Sequence, residues 1–176
     1  MNSNDKANQR ADRGGQFLTC RVADEQYGIE VLKVREIIGV LPVTPLPHSH
    51  EHVLGVINLR GRVIAVADLR TRFGMPYREP TEESCIIVVE IDDGEESQTT
   101  GILVDEVADV CHVEEDQTID PPQFDDRVDS SCLLGLGRAD RRVIFLLDIA
   151  QVLRGQGPTA ATELGLPPQE QPQTTP

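Results

Sequence analysis

Residues 53–74 read VLGVINLRGRVIAVADLRTRFG, and this stretch points most directly to the architecture of the chain. Two apolar runs, VLGVINL and RVIAVADL, are separated only by Arg60 and Gly61. A two-residue connection that ends in glycine is typical of a tight β-hairpin, because glycine readily adopts positive φ. Asp68 follows, and its side chain can accept hydrogen bonds from the first free amides of a helix. The stretch therefore predicts a hairpin with Arg60 at its tip, followed by a short helix, DLRTRF.

Further strand patterns lie on both sides of this hairpin. They are FLTCRVA (17–23) and QYGIEV (26–31), joined through Asp24 and Glu25, and SCIIVVEI (84–91) and TGILV (100–104), separated by an Asp93-Gly94 turn signal. A second short helix, DIAQVLR, is expected after RVIFLL. Tryptophan is absent and aromatic residues make up 3% of the chain, so the core must be built from valine, isoleucine and leucine. These observations predict a mostly β protein.

The two halves of the chain resemble one another. YGIEVLKVREIIGV (27–40) aligns with TGILVDEVADVCHV (100–113), and RVIAVADLRTRFG (62–74) aligns with RVIFLLDIAQVLRG (142–155) apart from one residue in length. The two offsets are 73 and 80 residues, so order and approximate spacing are both kept. We interpret this as a duplicated unit of about five short strands. Two such units would pack together around one shared core.

Charge and composition limit the classes of partner. The formal net charge is −14, and residues 81–130 alone carry −16, so nucleic acid is not expected to bind. That acidic segment is either a solvated face or a surface that steers a basic partner. No apolar run reaches the roughly 18 residues that span a bilayer, so we expect a cytosolic protein without membrane insertion. Residues 1–15 and 155–176 are expected to be disordered tails around a folded part, residues 16–154.

The motifs of common enzymes are missing, and histidines provide the one candidate metal site. No nucleophile elbow, Walker A loop or dinucleotide-binding glycine pattern occurs, and no cofactor is expected. His48, His50 and His52 alternate in PHSHEH, a spacing that would place three rings on one face of a strand and could bind zinc or nickel. Pro45 and Pro47 oppose a regular strand there. We therefore expect a hydrated histidine loop and no metal, with a metal-dependent enzyme as the alternative.

Four blocks in order resemble the CheW family of bacterial chemotaxis coupling proteins. They are YGIEVLKVREIIGV, VLGVINLRGRVIAVADLRTRFG, GILVDEVADV and LLGLGR with RVIFLLDIAQVLR, and the most specific parts are GVINLRG and the downstream DLR. The resemblance covers about residues 16–154. It implies two intertwined five-stranded β-barrel subdomains, SH3-like, that share a hydrophobic core, with a few short helices.

The resemblance also implies a function without catalysis. Family members join the cytoplasmic tips of chemoreceptors to the regulatory domain of the histidine kinase CheA, so this chain is expected to be a cytoplasmic adaptor recruited to membrane receptor arrays through its partners. A role in pilus motility or another chemosensory pathway is the alternative within this class. The matching blocks carry the family's binding positions to ten residues: Val34, Glu36, Ile37, Gly55, Asn58, Leu59, Arg60, Gly101, Val107 and Val110.

The ten residues differ in how strongly their chemistry supports binding. The Glu36 and Arg60 positions lie close together in family members, and the guanidinium of Arg60 can hold a carboxylate through two hydrogen bonds. Val107 and Val110 have the alternative of belonging to the core. Gly55 and Gly101 have the alternative of serving backbone geometry only. Arg60 and Glu36 are therefore the leading candidates.

Overall fold

The computed structural model describes residues 14–47, 49, 52–92, 94–120, 130–139 and 141–154. Residues 1–13 of the expected N-terminal tail, the whole expected C-terminal tail and two of the three candidate histidines, His48 and His50, lie outside these residues. Within them the protein is mostly β, as the sequence predicts. The described ranges contain ten strands: β1 Gly15–Val22, β2 Glu25–Glu30, β3 Val34–Gly39, β4 Val53–Leu59, β5 Arg62–Asp68, β6 Cys85–Asp92, β7 Ser97–Val104, β8 Glu106–Val113, β9 Leu133–Ala139 and β10 Arg142–Leu147.

The helices are short and lie where the sequence places them. Helix α1 is Leu69–Arg72 and helix α2 is Ile149–Arg154, and 3₁₀ turns occupy Val31–Lys33, Glu115–Gln117 and Ser130–Cys132. The Asp68 side chain accepts a hydrogen bond from Arg70 N at 3.2 Å, so it caps α1 as expected. No helix in the described ranges is both long and apolar enough to cross a membrane.

The strands form two five-stranded sheets that exchange strands. Sheet 1 has the order β8-β1-β2-β10-β9, and sheet 2 has the order β3-β6-β7-β5-β4. Adding five to each strand number of the first half, and subtracting five in the second, converts the order of sheet 1 into that of sheet 2. Each half of the chain therefore gives two strands to one sheet and three to the other. This confirms the duplicated unit and shows that the two copies interlock.

The buried residues form one cluster that both sheets share and two clusters that each belong to one sheet, as expected for interlocking halves. One cluster draws on both sheets and both helices, and it contains Tyr27, Ile29, Ile87, Ile102 and Ile149 among others. Two smaller clusters lie inside the individual sheets, one around Ile57 and Val66 and one around Phe17 and Leu146. The expected pair of subdomains with a shared hydrophobic core is thus confirmed.

Strand β6 illustrates why this sequence suits the arrangement. Ile86 and Val88 face the interior of sheet 2, while Ile87 and Val89 face the shared core, so an unbroken apolar run covers both faces. A strand that is buried on both sides has no solvent face to alternate with. The run SCIIVVEI therefore marks a central strand.

The glycines at 135 and 137 lie inside β9, where other parts of the chain approach the backbone closely. A Cβ on Gly135 would lie 2.8 Å from Ile119 O, and one on Gly137 would lie 3.2 Å from a methyl carbon of Val113 on β8. These contacts bring β8 and β9, the two edges of sheet 1, together.

Candidate functional site

The hairpin between β4 and β5 presents Arg60 as the sequence predicts. Arg60 has φ 52° and Gly61 has φ 83°, the pair of positive values that a type I′ turn needs. Asn58 Oδ1 accepts a hydrogen bond from Gly61 N at 2.8 Å and so fixes the turn from its own strand. The side chain of Arg60 is 75% exposed.

Arg60 reaches back to Glu36 on β3. Its two terminal nitrogens donate to the two carboxylate oxygens of Glu36, each at 2.9 Å. The expected proximity of these two residues is thus confirmed. An exposed ion pair of this kind adds only about 0–1 kcal/mol to folding stability, because water screens it. Its two-point geometry nevertheless holds an arginine and a glutamate in fixed positions at the surface.

The pair spans the gap between the two edges of sheet 2, since β3 and β4 are the outermost strands of that sheet. Just beyond β3, Thr44 forms an isolated bridge with Val56, with N–O distances of 2.8 and 2.9 Å. We call this region the Arg60 seam: β3, β4, the bridge at Thr44 and the Glu36–Arg60 pair. The seam curls sheet 2 toward a closed barrel.

Gly55 makes the Arg60 seam possible. Its φ is +149°, and a Cβ built on it would lie 2.0 Å from Thr44 O. Gly55 is itself buried, so it has no side chain to offer a partner and little surface. The structure thus assigns Gly55 a structural role, the alternative that the sequence left open for it.

The remaining first-half candidates lie along the same seam. Ile37 on β3 is 43% exposed, and Asn58 is exposed. Val34 and Leu59 are half-buried, Val34 against the shared core and Leu59 against the core of sheet 2. Ile37 therefore provides accessible apolar surface on β3, on the opposite face of the strand from Glu36, because successive side chains of a strand alternate.

The second-half candidates do not join the first-half group in one continuous edge. Gly101 is buried in β7, where a Cβ would lie 2.8 Å from a methyl carbon of Ile86. Val107 packs partly against the shared core, while Val110 on β8 is 53% exposed. Val107 and Val110 lie 73 residues after Val34 and Ile37, so they are the copies of those residues in the other sheet.

The copy of Glu36 is Asp109, which the sequence did not single out. The Thr19 hydroxyl lies 2.8 Å from both the backbone O and the Oδ1 of Asp109, to either of which it can donate, and it accepts from Asp109 N at 3.1 Å. The alignment of residues 27–40 with 100–113 could have identified Asp109 as the counterpart of Glu36. Its threonine partner on β1 could not be found by that route.

A second group that the sequence missed joins the two sheets. Arg70 of α1 binds Asp105, which lies between β7 and β8, through two contacts of 2.9 and 2.5 Å, and Asp105 also accepts from Ala23 N at 2.8 Å. Burial pushes the pKa of Asp105 upward, but the hydrogen bonds from Arg70 and Ala23 hold it below its usual value. This contact connects the helix after sheet 2 to the β1–β2 turn of sheet 1.

Within the described ranges, no group of three or more His, Cys, Asp or Glu is placed to hold a metal ion. Since His48 and His50 are outside those ranges, the hydrated histidine loop stays a prediction, and so does its alternative, a three-histidine metal site.

Comparison with known proteins agrees with the geometry. A family model described as "CheW-like domain" matches residues 16–157, which is most of the chain. This chain belongs to the CheW-like domain family. Two of its relatives are the chemotaxis protein CheW of Rhizobium meliloti, 36% identical over 84% of this chain and 93% of that protein, and the CheW of Klebsiella aerogenes, 34% identical over 81% and 84%.

A solved structure shows the same fold. The scaffolding protein CheW of Thermoanaerobacter tengcongensis superposes with a TM-score of 0.69 at 31% identity, covering 77% of this chain and 89% of that one. Family match, relatives and fold together identify the chain as a chemotaxis coupling protein, an adaptor of the CheW type.

Proposed function

We propose that this CheW-type adaptor couples the cytoplasmic tips of chemoreceptors to the regulatory domain of a CheA-type histidine kinase, and that it does so in the cytoplasm by binding alone, with no catalytic step. The observation that carries the proposal is the Glu36–Arg60 pair, which is exposed and held by two hydrogen bonds of 2.9 Å. Arginine is one of the residue types that are enriched at the energetic centres of protein interfaces.

The rigidity of the pair supports an interface role more than a folding role. The turn at Gly61 and Asn58 positions the backbone of Arg60, and Glu36 positions its side chain. A partner therefore meets a charged group whose conformational entropy is already reduced, which lowers the cost of association. The same pair contributes little to folding stability, because Arg60 is largely solvated.

The other candidate residues take different parts in this proposal. Ile37 and Val110 supply apolar contact area at equivalent positions of the two sheets, and Asn58 and Leu59 shape the hairpin beside Arg60. Val34, Gly55, Gly101 and Val107 act indirectly, by holding the strands on which the exposed residues lie. An adaptor with one binding edge in each sheet can hold two partners at once, and many weak contacts then become durable in an array.

The experiment measures the affinity of the full chain for the regulatory domain of the cognate kinase and for a receptor cytoplasmic fragment, each immobilised separately. We expect Arg60→Ala and Glu36→Ala each to weaken binding to at least one partner by about tenfold or more, because an interface arginine typically contributes at that level. Thermal unfolding should change little in both variants, which separates lost binding from lost fold.

Arg142→Ala is the matched control. Arg142 is an exposed arginine at the start of β10, in the hairpin that corresponds to that of Arg60, so its removal also deletes one surface charge. We expect affinities within about twofold of the native chain, as for an ordinary surface substitution. If Arg60→Ala and Arg142→Ala retain the same affinity for both partners, the Arg60 seam is not the binding edge.

A further inference from the structure

A polar pocket of about 140 Å³ lies on the side of sheet 2 where α1 begins. Its walls come from the start of α1, from Asp105 and from the segment between Arg78 and Ser84. Three arginines and four carboxylates line it, so it carries one net negative formal charge. None of the ten candidate binding residues lines this pocket.

Asp68 forms part of the pocket wall and is 98% buried, with a relative exposure of 2%. Its Oδ1 caps α1 by accepting from Arg70 N at 3.2 Å. Its Oδ2 is buried and has no hydrogen-bond partner among the described residues. Buried carboxylate oxygens are normally paired, because leaving one unpaired costs the full free energy of its desolvation. The wall of the pocket thus carries an acceptor that is short of a donor.

Two other charged residues of the pocket, Arg70 and the half-exposed Arg21, already have partners. Arg70 gives two nitrogens to Asp105, and Arg21 gives two nitrogens to Glu106 at 3.1 and 2.9 Å. At the rim, Arg78 and Glu79 are exposed. What the pocket lacks is therefore a hydrogen-bond donor, preferably a positively charged one, directed at Asp68.

An apolar groove lies beside the pocket and shares Pro80 and Leu103 with it. The groove holds about 270 Å³ and is lined by Val40, Val43 and Leu54 among others. A ligand whose charged end enters the pocket would therefore find apolar surface for an attached hydrocarbon stem. Lysine side chains combine these two features, since their methylenes pack on apolar surface while the ammonium seeks charge.

We propose that this pocket is a binding site for an alkylammonium group, whose nitrogen donates to Asp68 Oδ2 and whose methylenes lie against Pro80 and Leu103. A lysine side chain of a partner protein or a free aliphatic amine provides this chemistry. Because Asp68 Oδ2 is buried, the groups that cover it must move before the ammonium can reach it. The site is separate from the Arg60 seam, and it does not depend on the coupling function proposed above.

The test is a titration of the ¹⁵N-labelled full chain with three probes, followed through the backbone amide of Arg70, which is bonded to Asp68. The probes are Nα-acetyl-lysine-N-methylamide, its norleucine analogue, in which a methyl group replaces the ammonium, and cadaverine. We expect saturable shifts with the lysine probe and none with the norleucine probe. Tighter binding of the lysine probe identifies a partner side chain as the source of the ammonium, and tighter binding of cadaverine identifies a free amine.

Two variants complete the test. Asp68→Asn keeps a capping side chain but removes the charge, and we expect it to weaken the lysine probe about tenfold or more. Asp148→Asn is the matched control, because Asp148 lies 80 residues further on, is only half-buried and bonds Gln151 N at the start of α2. The Asp148→Asn variant should bind the lysine probe with the same affinity as the native chain.

Three results would overturn the proposal: equal shifts with the norleucine probe, undiminished binding by Asp68→Asn, or no saturation at the solubility limit of every probe. The last is what a pocket filled by water only would give. If Asp68→Asn does not fold, the comparison of lysine with norleucine on the native chain still decides.

Discussion

The Arg60 seam has a counterpart in sheet 1, and the two differ in their side chains more than in their backbones. We call the counterpart the Gly135 seam: β8, β9 and the bridge between Ile119 and Leu136. Ile119 approaches Gly135 in sheet 1 as Thr44 approaches Gly55 in sheet 2. Gly135 and Leu136 lie 80 residues after Gly55 and Val56, so the bridges are copies of one another. Duplication has preserved the closure of both sheets.

The acidic residues at equivalent positions of the two seams, Glu36 and Asp109, make different contacts. In the Arg60 seam, Glu36 lies opposite Val88, which offers no hydrogen bond, and its carboxylate turns outward to Arg60. In the Gly135 seam, the copy of Val88 is Thr19, whose hydroxyl binds Asp109. The copy of Arg60 is Asp140, which lies outside the described residues and carries the same charge as Asp109. One seam thus presents an ion pair to solvent, and the other holds its acidic residue by an internal hydrogen bond.

The largest expected effect tests whether closure depends equally on both glycines. Gly55→Ala places a Cβ 2.0 Å from Thr44 O at a φ of +149°, whereas Gly135→Ala places one 2.8 Å from Ile119 O without a positive φ. We expect Gly55→Ala to lower the free energy of unfolding by about 3 kcal/mol or more, because overpacking and backbone strain combine. Gly135→Ala should cost about 1–3 kcal/mol. Urea denaturation measures both.

Gly94→Ala separates strain from crowding in that experiment. Gly94 has φ +82° but no atom within 4 Å of an added Cβ, so this variant should lose only about 1 kcal/mol. Equal losses at Gly55 and Gly135 would show that the two seams contribute alike, contrary to the geometry.

The sequence could predict one side of this comparison better than the other. The Arg60 hairpin is local, since the turn residues, the apolar runs and Asp68 lie within 22 residues of one another. The internal repeat also predicts that β8 copies β3. The exchange of strands between the sheets does not follow from local patterns, because it depends on which faces of β1 and β6 become buried. The contacts of Glu36 depend on Val88, the residue opposite it, and those of Asp109 depend on Thr19. Each of these two pairs is far apart in the sequence and becomes adjacent only on folding.

A smaller effect is expected when Thr19, which binds Asp109, is replaced by valine, the residue at the equivalent position opposite Glu36. Thr19 is 2% exposed, and Thr19→Val leaves Asp109 N without its acceptor and the Asp109 side chain without its donor. We expect a loss of about 1–2 kcal/mol in the free energy of unfolding. Thr19→Ser keeps the hydroxyl and should retain more of the stability. If valine proves as stable as threonine here, the hydrogen bond does not anchor Asp109.

The smallest expected effect concerns the helices that follow the two seams. Asp68 and Asp148 begin α1 and α2 at equivalent positions, but only Asp68 is fully buried. Burial raises the pKa of Asp68, against the opposing effect of the Arg70 and Thr71 amides. The folded chain therefore holds this proton more tightly than the unfolded chain. The resulting stabilisation is complete below the unfolded pKa of about 3.9 and is lost as the pH rises through the raised folded value.

Asp68→Asn removes this dependence, since asparagine caps a helix about as well as aspartate and does not ionise. The variant should therefore gain stability relative to the native chain as the pH rises from about 4 to 7. We expect a change within about 1 kcal/mol, measured as the difference between the two unfolding free energies at each pH. The pKa of Asp105 is lowered, so its contribution to stability has the opposite pH dependence and is lost as the pH falls. Asp105 is present in both proteins, so this contribution cancels in the difference. A difference that is flat with pH, or as large for Asp148→Asn, would show that burial does not distinguish the two caps.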